Sequence, residues 1–168
     1  DQGRLTGLAW QAAPEAALAL AGVPSGQAPA PAYWPAFASR FIDREALPAL
    51  RMRDKGQFFA FMRQMASLAF APVNWSEAAG RTLVAPATAR AWGAFLAARG
   101  MVELAPGLAA PAPRRSLKRP RLLWRLPGLA LWLAAGSGKA EPGLLAALRR
   151  NAVAIALADA GFACRHFE

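Results

Sequence analysis

The strongest constraint on the fold is the segment 57–69, QFFAFMRQMASLA, in which large apolar side chains recur at helical spacing. Residues three and four positions apart lie on the same face of an α-helix, so this segment predicts one continuous apolar face. The residues of that face are Phe58, Phe61, Met62, Met65 and Leu68. A Phe/Met stripe is far more typical of a protein core than of a cofactor pocket. We therefore expect a helix against which the rest of the domain packs.

The residues that follow predict two further helices. Asn74 is placed to accept a hydrogen bond from the backbone N–H of Glu77, and the Glu77 side chain to reach back, which is the capping-box pattern. The segment TLVA (82–85) predicts a turn, Pro86 suits the first position of the next helix, and Gly100 ends it. In that helix the residues expected to face inwards are Ala89, Trp92, Phe95 and Leu96, and those expected to face outwards are Thr88, Arg90, Ala91 and Arg99.

Two short strands are predicted next, MVEL (101–104) and RLLWRL (121–126), on either side of a loop rich in proline, alanine and arginine. Helix, short helix, turn, helix, strand, basic loop, strand is the order of a winged helix-turn-helix. The short helices require small residues where they cross, and Ala78, Ala79 and Ala89 supply them. The predicted fold class is therefore mainly α with a small β component, a winged helix-turn-helix flanked by helices.

The chain divides into three expected parts. Residues 12–21, AAPEAALALA, predict a short apolar helix, and residues 22–32 are typical of a linker because they are rich in proline, glycine and alanine. The expected parts are an N-terminal helix and linker (1–32), a helical and winged-helix domain (33–133), and a C-terminal helix and strand of a truncated domain (134–168).

An aromatic stripe begins the central part. Tyr33, Phe37 and Phe41 recur every four positions and predict one apolar helical face. Pro48 is expected to end or kink that helix, because proline has no N–H to donate and its ring collides with the preceding turn.

Basic residues are concentrated in one stretch of the chain. The net charge is +10, from 20 basic and 10 acidic residues, and no acidic residue lies between Glu103 and Glu141. The basic residues of this stretch are Arg114, Arg115, Lys118, Arg119, Arg121, Arg125 and Lys139. Such a stretch would attract phosphate groups. A solvated loop in an arginine-rich chain explains the same pattern equally well.

The run Gly136-Ser137-Gly138-Lys139 has the ending of a phosphate-binding loop but not the rest of it. The motif G-x-x-x-x-G-K-[ST] requires a first glycine where this chain has Leu133 and a hydroxyl where it has Ala140. The preceding GLALWLAA (128–135) lacks β-branched residues and predicts a helix rather than the required strand. We interpret the run as a Gly-Ser-Gly loop between two helices.

No set of residues in this sequence predicts catalysis. His166 is the only histidine, and Cys164 would share its face of a strand, but no acid follows, so both are interpreted as half-exposed strand residues. The carboxylates Asp43 and Glu45 are expected to be solvated or paired with Arg40 and Arg44. We expect no catalytic residue and no metal ligand in this chain.

Composition also bears on the cellular setting. A single cysteine excludes an internal disulfide framework. No apolar run reaches the roughly 18–20 residues that span a bilayer, and the start has no signal-peptide pattern. We expect a cytoplasmic protein without a membrane partner. Because the sequence starts at Asp1 and its final stretch, GFACRHFE, has strand character, we also expect a piece of a longer protein.

Four stretches in order carry a family resemblance: FIDREAL (41–47), VNWSEAA (73–79), ATARAWGAFLAARGMVEL (87–104) and RRSLKRPRLLWRLPGLALWL (114–133). Through these stretches, residues 33–133 resemble a domain of unknown function that follows the ATP-binding core in many prokaryotic AAA-type ATPases. Looser similarity continues to residue 167. In the first stretch, Phe41 stands at the family's tyrosine position and Glu45 at its acidic one.

The resemblance implies a winged-helix region next to an ATPase core, followed by the start of a nuclease-like α/β segment at the C-terminus. This chain departs from the family at two places. Leu126-Pro127-Gly128 replaces an Asp-Thr-Gly sequence, and Arg150 stands where a helix carries the glutamate that begins the nuclease-like domain. Nuclease chemistry requires carboxylates that hold a metal. ATP would be a cofactor only of a core lying before Asp1, and we expect none in this chain.

Two functions stay open at this point. The first is a non-catalytic regulatory or recognition module of an ATPase, which binds a protein, nucleic acid or its own ATPase domain through the winged helix. The second is a stand-alone DNA-binding transcriptional regulator. The expected DNA contacts are Thr88, Arg90 and Arg99 on the recognition helix and Arg114, Arg115, Lys118, Arg119, Arg121 and Arg125 in the wing. The outward face of that helix is rich in alanine, which suits protein packing at least as well.

Overall fold

Helices dominate the computed structural model, which describes residues 33–105, 119–136 and 141–159. Its elements in chain order are α1 (Tyr33–Phe41), a π-helical turn (Ile42–Ala46), α2 (Leu47–Leu50), α3 (Lys55–Ser67), α4 (Trp75–Thr82), α5 (Pro86–Ala98), β1 (Val102–Ala105), β2 (Arg121–Trp124), α6 (Pro127–Ala135) and α7 (Pro142–Asp159). The prediction of a mainly α chain with a small β component is confirmed. The predicted helix at 12–21, the loop residues 106–118, Gly138-Lys139 and the pair Cys164 and His166 lie outside the described residues.

Helix α3 is the core helix that its apolar stripe predicts. Phe58, Phe61, Met62 and Met65 are completely buried, whereas Leu68, which follows the helix, is half-buried. Asp54 caps the start of the helix, because its side chain accepts a hydrogen bond from the backbone N–H of Gln57 at 3.1 Å. The rings of Phe58 and Phe61 lie edge-on to Trp92 of α5, with centroids 5.2 and 5.4 Å apart.

The helix that contains Pro48 continues past it to Leu50, so this proline does not end the helix, which was one of the two expected outcomes. The π-helical turn directly precedes this proline, and the Leu47 N–H donates to the carbonyl of Ile42, five residues back. A wider turn is one way in which a helix accommodates a ring that has no N–H to donate and needs room. The helix stops at Arg51, which has a left-handed conformation with φ 49°.

Helices α4 and α5 form the predicted pair. Asn74 caps α4 by accepting a hydrogen bond from the Glu77 N–H, and Pro86 begins α5. The Glu77 carboxylate does not make the expected return bond of a capping box. It accepts instead from Arg81, one turn later on the same helix, at 3.0 Å. The residues expected at the crossing of the two helices, Ala78, Ala79 and Ala89, are all buried.

Gly93 allows a close approach between these helices. A Cβ atom added at Gly93 would overlap the six-membered ring of Trp75, the first residue of α4. The absence of a side chain at Gly93 therefore makes room for an indole, a contact that the sequence pattern did not indicate.

We expect Gly93→Ala to destabilise the protein by about 1–3 kcal/mol, because the overlap with Trp75 outweighs the helix propensity that alanine adds. Gly80→Ala is the matched control: Gly80 is also helical, is exposed and has open space around its Cα. It should stabilise the protein by about 0.5–1 kcal/mol. Urea unfolding followed by circular dichroism measures both. Equal effects of the two substitutions would contradict the close approach.

Strand β2 is bonded along both of its edges. On one side it pairs antiparallel with β1, in a register that runs from Val102 opposite Trp124 to Ala105 opposite Arg121. On the other side it bonds to residues 70–73, which follow α3. The bonds are Phe70 N–H to Leu122 O at 2.8 Å, Leu122 N–H to Ala71 O at 3.0 Å and Val73 N–H to Pro120 O at 2.9 Å. Pro72 forms an isolated bridge to Arg121. Residues 70–73 therefore act as a third, strand-like segment.

Asn151 of α7 completes this second edge. It is entirely buried, and its amide accepts a hydrogen bond from the Trp124 N–H at 2.6 Å and donates one to the Trp124 carbonyl at 2.7 Å. Residues 70–73 do not bond to Trp124. There the Asn151 side chain makes the two hydrogen bonds that a neighbouring strand would make. The Trp124 indole N–H donates in turn to the Met65 carbonyl at 3.2 Å. One asparagine and one tryptophan therefore link α7, β2 and α3.

Replacement of Asn151 by leucine should cost about 2–4 kcal/mol of stability, because it leaves a buried N–H and a buried carbonyl of Trp124 without partners. On the same helix, Val153 is 56% exposed, and Val153→Ala should change the stability by no more than about 0.5 kcal/mol. Chemical unfolding monitored by tryptophan fluorescence distinguishes the two. A loss below 1 kcal/mol for Asn151→Leu would show that the amide bonds do not hold α7 on the sheet.

Helix α6 confirms the interpretation of GLALWLAA as a helix and not as the strand of a phosphate-binding loop. It packs against α3, where the ring of Trp132 lies 5.9 Å from that of Phe59. Arg63 donates from Nε to the Leu133 carbonyl at 3.1 Å, close to the end of α6 at Gly136. A cation at a helix C-terminus is favourable because the last carbonyls carry partial negative charge.

Candidate nucleic-acid interface

The outward-facing side chains of α5 are mostly small and uncharged. Thr88 is half-buried and Arg90 is exposed, and neither side chain makes a hydrogen bond or ion pair within the described part of the chain. The other exposed residues of the helix after Pro86 are Ala87, Ala91, Ala94 and Ala98. The inward residues are as predicted, with Ala89, Trp92 and Leu96 buried and Phe95 half-buried. This face therefore offers one arginine among four alanines.

Arg99 lies just past the end of α5 and is engaged within the protein. Its Nε lies 3.4 Å from Glu45 Oε2, and its guanidinium lies over the ring of Phe95 at 5.3 Å. Glu45 thus pairs with an arginine 54 residues further along the chain, and not with Arg40 or Arg44. Asp43, in the same π-helical turn, pairs with Lys55 at 3.6 Å. Arg99 joins the end of α5 to this turn.

Arg121, at the start of β2, is half-buried and faces the strand-like segment 70–73. Its Nη1 donates to the Phe70 carbonyl at 2.8 Å, and its guanidinium carbon lies 5.2 Å from the centre of the Phe70 ring. Its buried Nε has no hydrogen-bond partner among the described residues. A second arginine, Arg150 of α7, lies over the same ring. No pattern in the sequence indicates that Phe70 brings these two arginines together.

Arg125 joins two carboxylates from different elements. Its Nη2 lies 3.2 Å from Oε2 of Glu103 in β1. Its Nη1 donates to Oδ1 of Asp159, at the end of α7, at 2.5 Å. The hydrogen bond to Asp159 is the main cause that raises the pKa of the Arg125 guanidinium above its usual value, and the charges of both carboxylates add to it. Arg125 therefore links the β1–β2 hairpin to α7 through two ion pairs.

Arg119 differs from Arg121 and Arg125. It is exposed and makes no side-chain hydrogen bond, ion pair or cation–π contact within the described residues. Arg114, Arg115 and Lys118 lie outside the part of the chain that the structure describes. Among the described residues expected to contact DNA, Thr88, Arg90 and Arg119 are therefore unengaged. Arg99, Arg121 and Arg125 are held by protein groups.

A cavity of about 400 Å³ between α1, α3 and α6 is lined mainly by apolar groups, among them Ile42, Phe59 and Trp132, and none of the expected DNA contacts lines it. Within residues 33–105, 119–136 and 141–159, no three acidic, histidine or cysteine residues group as a metal site. Of the helices in these ranges, none has the length and apolar character to cross a membrane.

Comparisons of the chain with known protein families, curated proteins and solved structures found no match.

Substitution of Arg125 by methionine should lower the stability by about 1 kcal/mol at low salt, because it removes two ion pairs while keeping the aliphatic stem. The loss should shrink in 1 M NaCl, where the Debye length falls to about 3 Å. Arg119→Met removes the same charge from an unpaired position and should change the stability by less than about 0.5 kcal/mol. Urea titrations at both salt concentrations test this. Equal losses for the two variants would contradict a structural role specific to Arg125.

Proposed function

We propose that this chain is a non-catalytic recognition module with a winged helix-turn-helix fold. It resembles the C-terminal region of a prokaryotic AAA-type ATPase and binds a protein partner through the outer face of α5. The ATPase domain of the same polypeptide is the partner that the resemblance favours.

The arrangement of elements supports the winged-helix part of the proposal. A winged helix-turn-helix has a core helix, a short helix, a recognition helix and a β-hairpin. Helices α3, α4 and α5 and the hairpin β1–β2 have this order. Residues 70–73, between α3 and α4, bond to the free edge of β2 and add a third strand-like segment to the hairpin. The residues between β1 and β2, which include 106–118, would then form the wing.

The choice of a protein partner over DNA depends on the composition of the exposed face of α5. Four of its exposed residues are alanines, and small side chains at a helix contact let the axis of another helix approach closely. Sequence readout in a DNA groove instead requires side chains that reach base edges, mainly arginine, lysine, asparagine or glutamine. Arg90 is the one such side chain exposed within α5. Arg99, at the end of the helix, is already held by Glu45 and Phe95.

A DNA-binding transcriptional regulator is the second candidate, because Arg90 and Arg119 are exposed and unengaged. Together with Arg114, Arg115 and Lys118 they would supply phosphate contacts. Phosphate contacts alone position a protein on DNA without reading its sequence, so this candidate accounts less well for the alanine face.

Site-specific photo-crosslinking tests the protein-binding proposal. A benzophenone amino acid at Ala91 or Ala94, expressed in the full-length gene product, should form adducts that map to one continuous surface of one protein or of the adjoining ATPase domain. The same amino acid at Gly80, an exposed site on α4 with open space around it, is the control and should form no such adduct. Adducts from all three sites, or from none, would contradict binding through α5.

Salt dependence tests the DNA candidate. If the wing binds the phosphate backbone of DNA, the affinity for duplex DNA should fall steeply as the salt concentration rises. Arg115→Ala and Arg119→Ala should each reduce the slope of log K against log salt by about 1. Arg125→Ala serves as the control, because Arg125 is already neutralised by Glu103 and Asp159, and it should leave the slope unchanged. Fluorescence anisotropy measures the slopes. This result, combined with a preferred DNA sequence, would overturn the protein-binding proposal, whereas absent or salt-insensitive binding would eliminate the DNA candidate.

A further inference from the structure

Two arginines from different elements share one aromatic ring at the edge of the sheet. The guanidinium carbons of Arg121 on β2 and Arg150 on α7 lie 5.2 and 5.8 Å from the centre of the Phe70 ring. Phe70 itself is fixed by its backbone, because its N–H donates to the Leu122 carbonyl and its own carbonyl accepts from Arg121. Each cation–π contact is worth about 0.5–2 kcal/mol and holds the guanidinium in place.

Neither of these arginines is neutralised by a carboxylate. In the described part of the chain, Lys55, Arg81, Arg99 and Arg125 all have an acidic partner, whereas Arg121 and Arg150 have none. Their distances to one ring place the two guanidinium carbons within about 11 Å of each other. Two positive charges at this separation repel each other. An anion bound next to both guanidinium groups would therefore be stabilised.

Both guanidinium groups also keep unused hydrogen-bond donors. Arg121 donates from Nη1 to the Phe70 carbonyl, while its buried Nε has no partner within the described residues. Within the described ranges, Arg150 donates only from Nε, to the Ala146 carbonyl of its own helix at 3.3 Å. The terminal nitrogens of Arg150 and Nη2 of Arg121 are therefore available to a ligand that accepts several hydrogen bonds.

We propose that Arg121 and Arg150, positioned by Phe70, form a binding site for a phosphoryl group. A phosphoryl group suits the pair because its oxygens point in several directions and can accept from two planar guanidinium groups at once. Arg119 and Arg149, both exposed, add positive charge close by in the chain. The site uses β2, α7 and residues 70–73 and no residue of α5, so it does not depend on the function proposed for that helix.

The phosphoryl group has two possible sources, a free phosphate compound or a nucleic-acid backbone, and two titrations distinguish them. In the first, inorganic phosphate is added at constant ionic strength while the side-chain Nε–H NMR signals of Arg121 and Arg150 are followed. In the second, the anisotropy of a labelled 12-nucleotide single strand is measured, with and without inorganic phosphate as competitor. An oligonucleotide that phosphate displaces identifies the backbone as a ligand, and binding of phosphate alone identifies a free compound.

Arg150→Gln should weaken phosphate binding about tenfold, because it removes charged donors from an exposed side chain. Arg149→Gln is the matched control, since it removes the same charge one residue away without any contact to Phe70, and it should weaken binding less than about twofold. Arg150→Lys keeps the charge but not the planar fork and should give an intermediate loss. Circular dichroism confirms that each variant is folded.

Two results would overturn the proposal. The first is a wild-type chain in which neither phosphate nor the oligonucleotide shifts the signals of Arg121 and Arg150. The second is an equal loss for Arg149→Gln and Arg150→Gln, which would mean that binding reflects net charge alone. The crosslinking result at Ala91 bears on neither outcome, so the two proposals fail separately.

Discussion

Strand β2 is only four residues long, yet the described parts of the chain meet around it. One edge pairs with β1, and the other is used first by residues 70–73 and then by the buried amide of Asn151. A buried backbone N–H or carbonyl without a partner costs about 1–3 kcal/mol, so each of these bonds constrains where its donor or acceptor lies. The Trp124 indole extends this constraint to α3. Helix α7 and the hairpin are thereby held against the core helix.

The same arrangement determines which positive charges are available to a ligand. Arg125 is used to join the hairpin to α7, and Arg99 to join the end of α5 to the π-helical turn. Arg121 and Arg150 are held in place by a ring, and no carboxylate of the described residues neutralises them, so their positions are restricted while their charges are kept. The outer face of α5 carries almost no charge. Charge and small apolar surface are therefore placed on different elements, which is why we propose a different ligand for each.

Local patterns allowed the helices and the hairpin to be predicted, and long-range contacts could not be predicted. The stripe of α3, the Asn74 cap and the N-terminal Pro86 of α5 depend on residues within one or two turns, and all three were expected from the sequence. Residues 70–73 contain a proline and no apolar alternation, so nothing marked them as strand-like. The partners of Arg99 and Arg125 are distant in the chain, 54 and 34 residues away for Glu45 and Asp159. For the same reason, an asparagine in α7 gave no local sign that it bonds β2.

Native-state hydrogen exchange at β2 tests this account most directly. The amides of Leu122 and Trp124 donate to Ala71 and Asn151, so they should exchange only through global unfolding, with the same free energy as the buried amides of α3. Rapid exchange at Leu122 and Trp124, while the α3 amides stay protected, would contradict the account. It would show that the hairpin and α7 open independently of the core helix, and that the positions of Arg121 and Arg150 are not fixed.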